Sequence, residues 1–316
     1  MRTRALTEGA MLAAITVLFA LIGAYVGFIT IIIPVPLGLL VYRHGLRNGI
    51  IVSLTSAFLA ALTLSSVFVA IELVTIGVLG VALGIALREK FGFVQLVIVG
   101  VGASIVATLM QIFAYSLIFG HNLFEMYLEV WEQSSEHWFS VWEGLGLSEE
   151  MLAQYELVLG AIPETLRLLF PIILVGMGLM RTMANLFVMR IVLKRLGETL
   201  PWFPPFAQWR WPWYFVYGFI LGRLFSIIAL YVPGNIWQLV GFNLDVFFLY
   251  AFFIQGLAIT WFYMEKYKIH KIVRVILILF LFQPGSILLL FIALAGILDT
   301  WFNFRKLKTD KDDMEV

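Results

Sequence analysis

A few ionisable and amide side chains lie inside long apolar stretches of this sequence. A charged side chain at the centre of a membrane helix costs about 2.5–3.5 kcal/mol on insertion scales. Residues that carry this cost usually form a polar binding pocket or hydrogen bonds between helices. The candidate ligand-binding residues are Glu72, Gln111, Arg181, Asn185, Arg223 and Gln255.

The arginines among these residues could bind an anionic group of a small solute. We expect Arg181 or Arg223 to do so, with Asn185 one helical turn from Arg181 on the same face. Glu72 and Arg167 are expected at similar depth and could pair. The alternative is that all of these groups join helices internally, with Arg167 extending its charge to the interface.

The sequence carries no pattern typical of catalysis. It has no phosphate-binding Gly loop with a Lys and no His-Glu-x-x-His motif. Because it has 0 Cys, disulfides and Cys-ligated metals are excluded. We therefore expect no enzyme activity, no metal and no cofactor, and the net charge of +1 gives no electrostatic case for nucleic acid. The four histidines are scattered: His44, His121, His137 and His270.

Composition indicates which elements must position these residues. The chain is 62% hydrophobic and 13% charged, against about 45–50% and 25% in soluble domains. Its apolar runs are continuous, whereas membrane β-barrels need alternating segments of about 10 residues. We predict an all-α, multi-pass bundle in the plasma membrane. About eight spans are expected, or up to ten segments if short and broken helices are counted separately.

Charge distribution predicts the orientation. The stretch 91–166 contains no Lys or Arg and many Glu, whereas basic residues are retained on the cytoplasmic side. This stretch should therefore contain the extracytoplasmic loop, with both termini in the cytoplasm. Asp299 falls near the cytoplasmic end of the last helix, where solvation would be easy.

The sequence divides into four parts. Residues 1–197 form a six-segment membrane domain with an acidic insertion at 120–164. A linker rich in Pro and Trp covers 198–212, membrane helices cover 213–304, and a charged tail covers 305–316. The predicted segments and breaks include Thr7 to Thr30, a short Pro34 helix, a break at Ser65-Ser66, Phe93 to Phe119, Thr165 to Arg190, Trp213 to Val232, Asp245 to Met264, and a hairpin broken at Gln283-Pro284-Gly285.

The acidic insertion has helical periodicity. Its glutamates recur on one face, and Ser148 before two glutamates is typical of a helix start. We expect an amphipathic pair of helices on the outer surface. Its acidic face is either simply solvated or part of a lid over a site that opens outward. The face comprises Glu125, Glu129, Glu132 and Glu136.

Small residues at helical spacing permit close helix approach. They are expected either to pack internally or to contact a partner. The candidates are Gly9, Ala10, Ala13, Ala14, Gly80 and Gly84.

Three motifs resemble the YybS-like bacterial membrane proteins: A-L-T-E-G-A-M-L-A-A-I (Ala5 to Ile15), Y-R-H-G-L-R (Tyr42 to Arg47) and A-G-I-L-D-T-W-F-N-F-R (Ala295 to Arg305). That family is in turn similar to the S components of energy-coupling-factor (ECF) transporters. The likeness implies six helices, cytoplasmic ends, and a small-residue motif on helix 1 that contacts a transmembrane coupling subunit. The long acidic insertion and the C-terminal segments depart from the S-component pattern.

Two hypotheses for the function follow. The first is a protein that binds or transports a small solute, of S-component-like build, with an ECF-type coupling subunit as its partner. The second is a non-transporting membrane scaffold that holds a cell-envelope assembly protein. Both place the chain in the lipid bilayer.

Overall fold

The computed structural model describes residues 2–200, 202–232, 235–281 and 287–307. Within these ranges the regular structure is helical, as predicted. Seven helical segments of the described chain are long and apolar enough to cross a membrane, and Phe215–Tyr231 and Ile287–Phe302 are shorter apolar helices. The predicted multi-pass helical architecture is therefore confirmed. The chain divides into two compact units, Met1–Trp202 and Phe203–Val316, within the stretch 198–212 expected as a linker.

The first unit opens with a long helix and a short one. Helix α1 (Arg2–Gly23) ends earlier than the predicted Thr30, because the chain turns into a short 3-10 helix, Gly27–Ile32. Helix α2 (Pro34–His44) begins at a proline. Proline fits the first turn because that turn's N–H groups have no partner within the helix.

A tight hairpin follows. Helices α3 (Leu46–Leu64) and α4 (Val67–Arg88) are separated at Ser65 and Ser66, the predicted break. Ser65 takes a left-handed conformation (φ 50°), and its N–H closes the end of α3. The start of α3 and the end of α4 therefore lie at the same end of the hairpin.

The acidic region connects α5 to the longest helix. Helix α5 (Phe93–Phe119) is followed by α6 (Leu123–Gly144) and α7 (Glu149–Arg195). The side chains of Asn122 and Ser148 cap α6 and α7. Helix α7 is continuous over 47 residues and contains two prolines, so the expected start of a separate helix at Thr165 is wrong.

Close approaches hold the first unit together. A Cβ on Gly80 would lie 2.6 Å from the carbonyl oxygen of Pro34, and one on Gly84 would lie 2.5 Å from that of Gly38. Helices α2 and α4 thus meet nearly backbone to backbone. Beside this seam, α1, α3 and α4 contribute to a buried core of Ala20, Ile33, Ala57, Ala60 and Leu73.

The second unit contains α8 (Phe215–Tyr231), α9 (Asn235–Lys266), α10 (Lys271–Leu281) and α11 (Ile287–Phe302). A 3-10 turn, Phe206–Gln208, precedes them. Helix α9 begins ten residues before the predicted Asp245. The predicted break at Gln283-Pro284-Gly285 lies outside the described residues.

Candidate functional site

Arg181 lies on α7 and faces α4 and α5. Its Nη1 donates to Thr108 Oγ1 on α5 at 3.2 Å. It also interacts electrostatically with the carboxylate of Glu72 on α4, and Tyr127 on α6 lies near it. Three of these positions are half-buried, and Tyr127 is exposed. The arrangement gathers one cation, one carboxylate and two hydroxyls inside the first unit; we call it the Arg181 cluster.

Two neighbouring polar side chains on α7 are fully buried. Asn185 Nδ2 donates to the carbonyl oxygens of Ile31 and Arg181, both at 2.7 Å. Within the described residues, Asn185 Oδ1 and Thr182 Oγ1 have no hydrogen-bond partner. Buried polar atoms are normally paired, so these two have capacity for a further polar contact.

Gln111 lies on α5, three residues after Thr108 and therefore on the same helix face. It is half-buried. Arg181 thus contacts Thr108 and interacts with Glu72, with Asn185 one turn along α7 and Gln111 one turn along α5. Thr108 and Thr182 were missed by the sequence analysis. Their signal is weak, because threonines are common in membrane helices and often bond back to their own helix, as Thr108 does to Ser104 O.

The expected pairing of Glu72 with Arg167 is wrong. Arg167 Nη2 contacts Glu125 Oε2 of α6 at 2.9 Å, and its Nη1 lies 3.6 Å from Glu164. The arginine that influences the charge of Glu72 is instead Arg181. Together with the Phe124–Phe170 ring contact (4.6 Å), the Arg167–Glu125 pair attaches the first turn of α6 to α7.

Arg223 and Gln255 belong to the second unit, and each has partners there. Arg223 Nε lies 3.0 Å from Asp245 Oδ1, which joins α8 to α9. Gln255 Oε1 accepts from the Trp211 N–H at 2.8 Å, and its Nε2 donates to Gly296 O at 3.0 Å. Both residues therefore connect elements of the second unit.

A buried ion pair lies beside Gln255. Asp299 Oδ2 and Arg305 Nη2 are 2.8 Å apart, and both side chains are 0% exposed. Arg305 also donates to the carbonyl oxygens of Ala207 and Trp209, at 2.6 and 2.9 Å. The expectation that Asp299 would be solvated is therefore wrong. The pair fixes the Pro- and Trp-rich segment onto the end of α11.

A second ionic contact joins α1 to α2. Glu8 Oε2 lies 2.6 Å from His44 Nε2 and 3.2 Å from Arg43 Nη1. Glu8 belongs to the first resemblance motif, and Arg43 and His44 belong to the second. Residues of the first two motifs thus contact each other across helices. Within the third motif, Asp299 pairs with Arg305.

The small residues of α1 divide between two faces. Gly9 and Ala13 are buried, and a Cβ on Gly9 would lie 3.5 Å from Val52 of α3. Ala10 and Ala14 are exposed. Gly80 and Gly84 pack within the first unit, as described above. Of the predicted partner face, therefore, only Ala10 and Ala14 are on the surface among the described residues.

The guanidinium of Arg181 is the group in this cluster whose chemistry suits an anion. A guanidinium offers five N–H donors, and a carboxylate or phosphate can accept two of them together. Among the described residues, no group of three or more His, Asp or Glu side chains is arranged to hold a metal ion.

Comparisons with known proteins agree on one class. The family described as "Predicted membrane protein (DUF2232)" matches residues 14–300. The chain is 24% identical to "Uncharacterized protein YybS" of Bacillus subtilis (strain 168), over 96% of this chain and 98% of that one. No solved structure matches the chain. The similarity to ECF S components therefore stays a prediction.

Proposed function

The chain belongs to the DUF2232 family of predicted membrane proteins, and from that premise we propose that it binds a small anionic solute at the Arg181 cluster. The protein is a multi-pass membrane protein, and its first unit holds a half-buried cation among α4, α5 and α7. Placing a cation there is costly, and a bound anion would offset part of that cost.

The observation that supports this proposal most is the unused bonding capacity around Arg181. Within the described residues its guanidinium makes one hydrogen bond, to Thr108 at 3.2 Å, and Glu72 supplies charge compensation without a close ion pair. By contrast, Arg223 and Arg305 each lie within 3.0 Å of a carboxylate oxygen. Arg181 is thus the membrane-embedded arginine best suited to receive an external carboxylate or phosphate.

We further propose that the protein takes part in transport of this solute. A solute site within the membrane suits a capture component that passes its ligand across the bilayer. The resemblance to S components favours this role, and it also favours an ECF-type coupling subunit as the partner of α1. The exposed Ala10 and Ala14 would provide the close contact for that subunit.

Thermal unfolding of the purified protein tests the proposal. A solute at 100 times its Kd stabilises a protein by about 2.7 kcal/mol, which corresponds to a rise in Tm of roughly 4 °C for a chain of 316 residues. We expect such a shift from at least one member of a panel of carboxylated and phosphorylated metabolites. Arg181→Gln should abolish the shift, and Arg181→Lys should retain part of it because the charge remains.

Arg195→Gln is the matched control, because it removes an exposed arginine from the last turn of the same helix, outside the Arg181 cluster. It should respond to the solute as the unmodified protein does. The proposal fails if no metabolite in the panel shifts the Tm, or if Arg181→Gln responds fully.

The alternative is a scaffold, favoured by the exposed glutamates of α6 and of the first turns of α7. Cross-linking in cells followed by purification separates the two functions. A stoichiometric ATPase module with its coupling subunit supports transport. An envelope-assembly protein linked through α6 supports the scaffold.

A further inference from the structure

A groove of about 370 Å³ runs along the surface of the first unit between α3 and α4. Its walls are almost wholly apolar. The floor is formed where Gly77 of α4 approaches Ser53 of α3 so closely that a Cβ on Gly77 would lie 2.3 Å from Ser53 Oγ. The wall residues include Ile50 and Leu54 of α3 and Val74, Val78, Val81 and Ile85 of α4.

The groove has the length of one leaflet. From Val74 to Ile85 the helix rises by about 16 Å, roughly half of the 30 Å hydrocarbon core of a bilayer. Its walls include half-exposed Ile50 and Leu54, which face the lipid in a membrane protein. A hydrocarbon chain is therefore the occupant that the groove fits in length and polarity.

Basic side chains stand at one end of the groove. Arg47 lies one turn before Ile50 on α3, and Arg88 lies one turn beyond Ile85 on α4, each on the same helix face as its groove residue. Both arginines are exposed. Because the α3–α4 hairpin brings the start of α3 to the end of α4, both charges flank the same mouth.

We propose that this groove holds an acyl chain of an anionic phospholipid, whose phosphate contacts Arg47 and Arg88. The apolar walls provide packing for the chain, and the two arginines provide the preference for a negative headgroup. Each Lys or Arg near an anionic membrane surface contributes about 1 kcal/mol. Two of them correspond to a preference of about thirtyfold over a zwitterionic lipid.

Native mass spectrometry of the full-length protein in detergent measures this preference. The probes are phosphatidylglycerol and phosphatidylcholine with identical acyl chains. We expect one phosphatidylglycerol to bind about thirtyfold more tightly than phosphatidylcholine. A double variant, Arg47→Gln with Arg88→Gln, should reduce the preference for phosphatidylglycerol to near unity. A control double variant at the exposed end of α7, Lys194→Gln with Arg195→Gln, should leave this preference unchanged.

Blocking the groove tests the position of the chain. Val81→Trp should fill the groove and remove the tightly bound phosphatidylglycerol, whereas Ile98→Trp on the exposed face of α5 should retain it. Ala82→Phe serves as a second blocking variant, and circular dichroism and elution profiles establish that each variant is folded. Equal binding of the two lipids, a retained preference without the arginines, or unchanged binding in the folded blocking variants would overturn the proposal.

Discussion

The Asp299 carboxylate is fully enclosed, and its partners identify its role. It pairs with Arg305 and accepts from the N–H of Phe304 at 2.9 Å. Arg305 in turn binds the carbonyl oxygens of the segment before α8. Breaking a buried pair from one side is costly because the remaining charge is stranded. This pair therefore holds the second unit's non-helical segment in place, a structural role unlike that of Arg181.

Asp299→Ala should destabilise the protein by about 3–5 kcal/mol, lowering its Tm by roughly 5–8 °C. The reason is that Arg305 would remain buried without a carboxylate. Glu164→Ala is the control, because it removes an exposed partner of the half-exposed Arg167 and should have a far smaller effect. Thermal unfolding in one detergent measures both. Equal decreases in Tm for the two variants would show that burial does not increase the contribution of the Asp299–Arg305 pair to stability.

At the level of elements, α5 and α7 meet through a glycine. A Cβ on Gly100 would lie 2.3 Å from Thr182 Cγ2, whereas one on Gly102 would meet nothing within 4 Å. Gly100→Ala should therefore separate the helices and lower the Tm. Gly102→Ala in the same helix should keep or raise it, because alanine favours helices by about 1 kcal/mol over glycine. A lower Tm for both variants would contradict this account of the seam.

Moving α5 from α7 would also separate Thr108 from Arg181. In Gly100→Ala, solute stabilisation should therefore weaken together with stability, while Gly102→Ala keeps both. This links the packing of two helices to the geometry of the Arg181 cluster.

Local signals explain which elements could be predicted. The break at Ser65-Ser66 and the start of α7 after Ser148 depend on turn and capping chemistry written in neighbouring residues. The fusion of the acidic segment with the membrane helix could not be predicted, because Pro163 and Pro171 ordinarily signal interruption.

Ion pairing depended on distant packing and was harder to predict. Arg223 of α8 meets Asp245 of α9, a helix that begins at Asn235, earlier than its apolar run indicates. Likewise, Arg167 pairs with Glu125 of α6, whereas Glu72 is influenced by Arg181. Polar residues within apolar stretches could thus be recognised from the sequence, but their partners could not.

At the scale of the whole molecule, orientation is the main testable feature. The chain has 0 Cys, so a single introduced cysteine reports its own compartment. Ser140→Cys, exposed on α6, should react with a membrane-impermeant maleimide on intact cells. Lys194→Cys, at the end of α7, should react only after permeabilisation, because basic residues stay in the cytoplasm. The opposite labelling pattern would invert the predicted orientation.

The unbroken course of α7 has a mechanical consequence. From Glu149 to Thr165 the helix covers about 24 Å. The same helix continues into the predicted membrane span and carries Arg181. A molecule that binds the outer end of α7 and tilts it would also move Arg181. If that binding changes the affinity for an anion at Arg181, the anion must change the affinity at the outer end by the same factor.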